Sequence, residues 1–202
     1  MKTLLQINTS LNGSDSLSSS LASEYAATWL AANPHGELVI RDLSAQPVPH
    51  LSAQRFAAFG SDPATRSPEQ QALVVDSDKL IAELKDADEI VLGLPMHNFG
   101  IPSTLKAYFD HIARAGETFR YSESGPVGLL NSKRVLIFAT RGGIMQGTPL
   151  DTQTAYVNNF LGFLGLTQTQ FIYVEGTAMG GDHLQAGIAE ARGRIRQLSS
   201  AA

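Results

Sequence analysis

Short apolar runs alternate with longer amphipathic stretches along the whole chain. The runs at Thr3 to Asn8, Glu37 to Asp42, Ile90 to Leu94, Lys133 to Ala139 and Gln170 to Glu175 have strand length and composition. Between them, apolar positions recur at helical spacing. Leu17 to Ala32 carries Leu21, Tyr25, Trp29 and Leu30, and a second stretch runs from Ser67 towards Lys85. A third places Leu105, Phe109 and Ile112 on one face, with Pro102 in its first turn and Gly116 as its stop. Leu150 to Leu164 and His183 to Leu198 complete the set. Ser67-Pro68-Glu69-Gln70 has the form of a capping box with proline in the first helical turn. Ser44 to Arg66, with Pro47, Pro49 and Pro63, reads as loop, and Asp86 to Glu89 as a solvated turn. Five strands that alternate with helices predict an α/β fold with a parallel sheet covered on both faces. The expected form is a doubly wound five-stranded parallel sheet with helices on both faces, built as one domain over residues 1–202.

Three segments fall just after predicted strands, where open α/β sheets bind ligands. After the first strand, Ser10, Ser16, Ser18 and Ser19 lie before or within a helix start, a place that offers free N–H groups and a positive dipole end to a phosphate. The competing reading is that these serines only cap the helix and fill a turn. After the third strand, the loop PMHNFGIP is bracketed by Pro95 and Pro102. Its N–H groups, flanked by Met96 and Phe99, suit the edge of a flat ring such as a flavin. After the fourth strand come Thr140, Arg141, Gly142 and Gly143, whose glycines allow close backbone approach. In a doubly wound sheet these three loops converge on one rim. No G-x-x-x-x-G-K-[ST], G-x-G-x-x-G or G-x-S-x-G occurs, which excludes the Walker, Rossmann and nucleophile-elbow readings.

Composition narrows the chemistry further. With no cysteine among 202 residues, disulfides, thiolate metal sites and dithiol redox centres are excluded, so redox activity needs a borrowed cofactor. The five histidines are too scattered for a zinc site, and no metal is expected. A net charge of −4 without a basic patch argues against nucleic acid and anionic membrane surfaces as partners. MKTLLQINTS turns polar too soon for a signal peptide and no stretch is long enough to span a bilayer, so the cytoplasm is the expected location.

Taken together, Ser10 with Ser16 to Ser18, PMHNFGIP with LKAYFD, ARAGETFRY, TRGG, and FLGFLG with VEG resemble the bacterial FMN-dependent NADH:quinone oxidoreductase/azoreductase family. The resemblance spans nearly the whole chain. It implies a flavodoxin-like fold and a homodimer with active sites at the interface, each subunit holding one tightly bound FMN. Carried over residue by residue, Ser10, Ser16, Leu17 and Ser18 would hold the FMN phosphate end. Met96, His97, Asn98 and Phe99 would hold the isoalloxazine, with Thr140, Arg141, Gly142 and Gly143 along its other edge. The implied activity is ping-pong hydride transfer from NADH or NADPH to quinones or aromatic azo compounds, giving protection against electrophilic quinones. The chemistry is flavin-centred and no catalytic side chain is named.

Phe99, Phe119, Tyr121 and Phe163 are candidates for the wall on which flat substrates stack, partly from the second subunit; core or interface packing is the competing reading. Arg55 or Arg66 would reach the phosphates of the nicotinamide cofactor. Two departures stand out: family members often carry tyrosine where this chain has His97, and serine where it has Thr140. The other class of function consistent with these residues is a non-catalytic FMN module, such as an electron carrier. The mild charge and additional aromatic residues favour the enzyme.

Overall fold

Five strands pair in parallel in the order β2-β1-β3-β6-β7. They are β1 (Thr3–Asn8), β2 (Glu37–Asp42), β3 (Glu89–Pro95), β6 (Arg134–Thr140) and β7 (Gln168–Val174). The computed structural model describes residues 1–200. The helices are α1 (Leu17–Ala32), α2 (Ala53–Phe59), α3 (Pro68–Asp86), α4 (Ser103–Ile112), α5 (Thr152–Phe163) and α6 (Gly181–Ser200). A hairpin of β4 (Phe119–Ser122) and β5 (Gly125–Gly128) stands apart from the sheet. No helix among the described residues is long and apolar enough to cross a membrane.

The alternation of side chains along each strand divides the core into two layers. Ile90, Leu92, Leu94, Val135 and Ile137 face one side, where they pack with Leu80 and Leu84 of α3, Leu105 and Phe109 of α4, and Val157 of α5. Val91, Leu136 and Phe138 face the other, against Leu21, Tyr25 and Trp29 of α1 and Ala191 and Ile195 of α6. Every residue of β3 is buried, because β3 is central and covered on both faces. The order in which strands are added reverses between β1 and β3, which opens a crevice at their carboxyl ends.

Local signals explain where several elements begin. Ser67 Oγ accepts the Gln70 N–H at 3.2 Å and the Gln70 side chain accepts the Ser67 N–H at 3.0 Å, completing the capping box that starts α3. Pro102 is the N-cap of α4 rather than a member of its first turn, and α4 stops at Ile112, before Gly116. The stop comes from Thr118, whose hydroxyl accepts the Arg114 N–H at 3.0 Å and donates to the Ile112 carbonyl at 2.5 Å. Gly116, at φ +84°, turns the chain into β4. The segment read as loop contains α2, capped by Ser52. Glu89, read as part of a solvated turn, is buried; its carboxylate accepts from Trp29 Nε1 at 3.2 Å, from Arg134 and from the Tyr25 hydroxyl.

Gly93 carries the site's geometry. A Cβ there would lie 3.0 Å from the Ser18 backbone carbon and oxygen and 3.1 Å from the Ser19 nitrogen. The bare Cα lets the first turn of α1 rest on the sheet. Gly93→Ala is expected to lose about 1–3 kcal/mol of stability despite alanine's better strand propensity, because backbone must move to admit the methyl. Denaturant unfolding would read the loss, and an unchanged midpoint would show that α1 yields freely.

His111 supplies a second expectation. It is fully buried; its Nδ1 lies 2.9 Å from the Ala107 carbonyl and its Nε2 has no partner among the described residues. Burial, with the nearby Arg55 charge, holds its pKa below the ordinary histidine value, although the Ala107 carbonyl works the other way. The folded state therefore favours the neutral ring. Its contribution to stability is complete above the unfolded pKa of about 6.5 and is lost as pH falls from there towards the folded pKa. Unfolding free energy should fall between pH 7.5 and 5.5 in the natural protein and more shallowly in His111→Gln. Equal slopes would remove His111 from the account.

Candidate functional site

Three loops leave the carboxyl ends of β1, β3 and β6 and meet at one cleft of about 340 Å³. The first is anchored by Thr9, whose buried hydroxyl donates to the Gly93 carbonyl at 2.7 Å. It passes Ser10, which accepts the Asn12 N–H at 3.3 Å, and makes one 3-10 turn over Gly13–Asp15. Ser16 then caps α1, its hydroxyl accepting the Ser19 N–H at 3.2 Å and its carbonyl the Ser20 N–H at 2.9 Å. Among the described residues, the N–H groups of Leu17 and Ser18 have no partner. Two free donors at the positive end of a sixteen-residue helix suit a phosphate.

The second loop is a tight hairpin. The His97 N–H donates to the Gly100 carbonyl at 3.0 Å and the Gly100 N–H to the His97 carbonyl at 2.9 Å. The residues between them, Asn98 at φ +48° and Phe99 at φ +61°, both lie in the left-handed region, the pattern of a type I′ turn. Asn tolerates that conformation, but a bulky Phe is strained in it by roughly 1–3 kcal/mol. Such strain persists only where surrounding contacts impose it. Those contacts come from the first turn of α5: the Thr152 hydroxyl donates to the Phe99 carbonyl, and the Gln153 amide donates to the Pro95 and Gly100 carbonyls at 3.0 and 3.3 Å. The N–H groups of Asn98 and Phe99 have no partner among the described residues.

The third loop is joined to the second by the Met96 N–H, which donates to the Thr140 carbonyl at 2.9 Å. On its far side it is laced to the chain after β7, since the carbonyls of Arg141, Gly142 and Gly143 accept N–H bonds from Thr177, Ala178 and Gly176. The Arg141 side chain is fully buried and turned from the cleft. Its guanidinium pairs with Asp151 at 2.9 Å and Glu175 at 3.1 Å, donates to Thr154 at 2.9 Å, and lies 4.8 Å over the Tyr173 ring. Burial works to raise the Asp151 pKa, but the Thr154 N–H, the Arg141 guanidinium and the Thr154 hydroxyl together hold it below the ordinary carboxylate value.

Of the residues named from sequence, Ser10, Ser16, Leu17, Met96, His97, Thr140 and Gly142 line the cleft together. Ser18 lies buried beneath them, its hydroxyl 3.2 Å from that of Ser16. Asn98 and Phe99 form the exposed tip of the second loop, while Arg141 and Gly143 contribute the backbone of the third. Phe119, Tyr121 and Phe163 do not line this cleft. Phe119 packs against Phe163 in a tilted pair, ring centres 4.4 Å apart, and meets Tyr121 edge-on at 5.5 Å. With Leu51, Phe56 and Phe59, Phe119 and Tyr121 border a separate apolar hollow of about 390 Å³. Arg55 and Arg66 are engaged elsewhere, with the Leu73 carbonyl and with Ser61.

Sequence reasoning missed Asn12, Asp15, Pro95, Thr177, Leu184 and Ile188, which also line the cleft. The glycines of VEGTAMGG, following a predicted strand, were the available signal for Thr177. The Arg141 side chain itself stays out of the cleft, because two carboxylates and an aromatic face hold it inside. Arg141→Met is expected to cost about 3–5 kcal/mol in a denaturant titration, because it strands the Asp151 and Glu175 carboxylates without their cation. A loss below 1 kcal/mol would show that water compensates them.

Known proteins share this architecture and sequence. A family model described as a flavodoxin-like fold matches residues 1–198. An FMN-dependent NADH:quinone oxidoreductase of Cellvibrio japonicus is 58% identical over 180 residues, covering 89% of this chain and 90% of the relative. FMN-dependent NADH:quinone oxidoreductase 6 of Burkholderia lata is 49% identical over 195 residues, covering 96% and 98%. Among solved structures, an FMN-dependent NADH-azoreductase from Bacillus anthracis in complex with FMN superposes with a TM-score of 0.86 at 26% identity, covering 98% of this chain and 100% of that one. The chain belongs to the flavodoxin-like fold family and, within it, to the FMN-dependent NADH:quinone oxidoreductases.

Proposed function

We propose that this protein is an FMN-dependent NAD(P)H:quinone oxidoreductase that also reduces aromatic azo compounds. The observation that carries this reading is the shared cleft, with two free N–H donors of α1 at one end and the Met96–His97 backbone against Thr140 at the other. The residues present fit the cofactor. The α1 start suits a phosphate monoester, and the strained second loop offers the unpaired N–H groups of Asn98 and Phe99 beside it. His97 Nε2, shielded from solvent and without a partner among the described residues, adds a further polar atom at the cleft wall. FMN, when bound, supplies two-electron hydride acceptance from NADH or NADPH and its ping-pong delivery to a quinone or azo compound.

The chain's own residues bind and orient. Leu17 and Ser18 donate backbone N–H bonds to the phosphate, Ser10 and Ser16 add hydroxyls, and the second and third loops grip the ring edges with backbone. Pro95, Leu184 and Ile188 contribute an apolar wall that limits water. The protein acts as one domain and as a cytoplasmic homodimer. Phe119, Tyr121 and Phe163, which lie away from the cleft of their own chain, then contribute to the substrate wall of the partner subunit, with Phe99 at its rim. Disposal of electrophilic quinones is the corresponding physiological role.

The purified protein should be yellow, with one FMN per chain, and menadione should accelerate its oxidation of NADH at least several-fold. FMN retained without quinone-dependent turnover would favour the electron carrier. A protein that fails to take up added FMN would overturn the reading.

A further inference from the structure

The first turn of α5 touches the second loop at three of its carbonyls, and the buried amide of Gln153 makes two of those contacts. Gln153 is fully buried, which is uncommon for so polar a side chain. Its Nε2 lies 3.0 Å from the carbonyl of Pro95, where the loop leaves β3, and 3.3 Å from the Gly100 carbonyl, where the hairpin closes. Both neighbours are acceptors, so the NH2 group must face them. The Oε1 atom is buried with no partner among the described residues. A buried orphan oxygen is unfavourable, and an apolar side chain of similar size would avoid it. Packing alone therefore does not account for a glutamine here, whereas a need for two donors from one group does.

What lies between the two anchored carbonyls is the strained pair, Asn98 and Phe99. Asn98 tolerates this turn but Phe99 disfavours it, so the backbone gains from external fixing. The residue before Thr152, Asp151, pairs with Arg141 at the start of the third loop. The N-cap of α5 and the two residues that follow it thus connect the two loops at the ring end of the cleft.

We propose that Gln153 is a positioning residue that clasps the 95–100 loop through the Pro95 and Gly100 carbonyls and so holds the Asn98 and Phe99 N–H groups in a ligand-binding arrangement. The part of this inference that concerns ligand rests on the FMN reading above; the clasp itself does not. Gln153 touches no reacting atom. It acts through the loop backbone, and its removal changes cofactor affinity and potential rather than abolishing the fold.

Two variants test the clasp in the full-length protein. Gln153→Met keeps the length and removes both donors. Gln153→Glu offers one donor when protonated and none when ionised, when its carboxylate opposes two carbonyls. Hydrogen exchange on the ligand-free protein should show faster exchange at His97 and Gly100 in Gln153→Met, with the amides of β3 and β6 unchanged. FMN titration should show about ten-fold weaker binding, the loss of one to two hydrogen bonds' worth of pre-organisation, and a shifted flavin midpoint potential. In Gln153→Glu, FMN affinity should recover as pH falls from 8 to 5, a pH dependence that a purely structural role does not give. Loop exchange at the natural rate in both variants would overturn the clasp. FMN affinity and potential within two-fold and a few millivolts of the natural protein would overturn its link to the ligand. If the natural protein itself takes up no FMN, the cofactor reading fails while the exchange measurement still decides the clasp.

Discussion

The site depends on the close approach of α1 to the centre of the sheet at Gly93. One residue there satisfies two demands. Its carbonyl accepts the Thr9 hydroxyl, fixing the loop that leaves β1, and its missing Cβ leaves room for the Ser18 backbone. Because β1 and β3 are neighbours at the point where strand order reverses, this contact sets where the α1 N-terminus opens.

Around that contact the rim is a frame of backbone hydrogen bonds. The second loop is tied to the third by Met96 and Thr140, and the third to the chain after β7 by three successive carbonyls. Buried polar side chains stiffen the frame from behind. Arg141 holds Asp151 and Glu175, the latter also accepting the Met145 and Gln146 N–H groups, and Asp151 caps the helix whose next two residues hold the second loop. Such a network is costly if half-satisfied and rigid when complete. The contacts of Thr152 and Gln153 with the loop carbonyls are what hold Phe99 in a conformation it disfavours, and a rim made of backbone suits a ring recognised by its edges rather than by charge.

The aromatic residues tell a different story. Phe56 and Tyr121 are largely exposed at the separate hollow, and Phe99 is exposed at the tip of its loop. In the homodimer proposed above, these exposed aromatic side chains would be covered by the partner subunit.

Much of the fold was legible because its signals are local. The ranges Thr3–Asn8, Leu17–Ala32 and Glu37–Asp42 follow from hydrophobic periodicity and turn residues, and the start of α3 from one capping box. The rim position of Ser10, Ser16, Met96, His97, Thr140 and Gly142 followed from strand ends and topology. The β4–β5 hairpin was not legible, because FRYS and GPVG are four residues each, too short for a pattern to register, and Gly128 and Gly165 matter only where two backbones meet. Neither was the Asn98–Phe99 turn, which has no glycine at its positive φ angles and exists because Thr152 and Gln153, some fifty residues later, impose it. The inward turn of Arg141 likewise depends on Asp151 and Glu175, brought together only when α5 and the end of β7 pack beside it. By itself the amino-acid sequence determined the elements, their alternation and the three loops at the rim, since periodicity, caps and turns act between near neighbours. Only the tertiary structure decided which way each rim side chain points and which backbone is held under strain, since those depend on contacts between residues far apart in the chain.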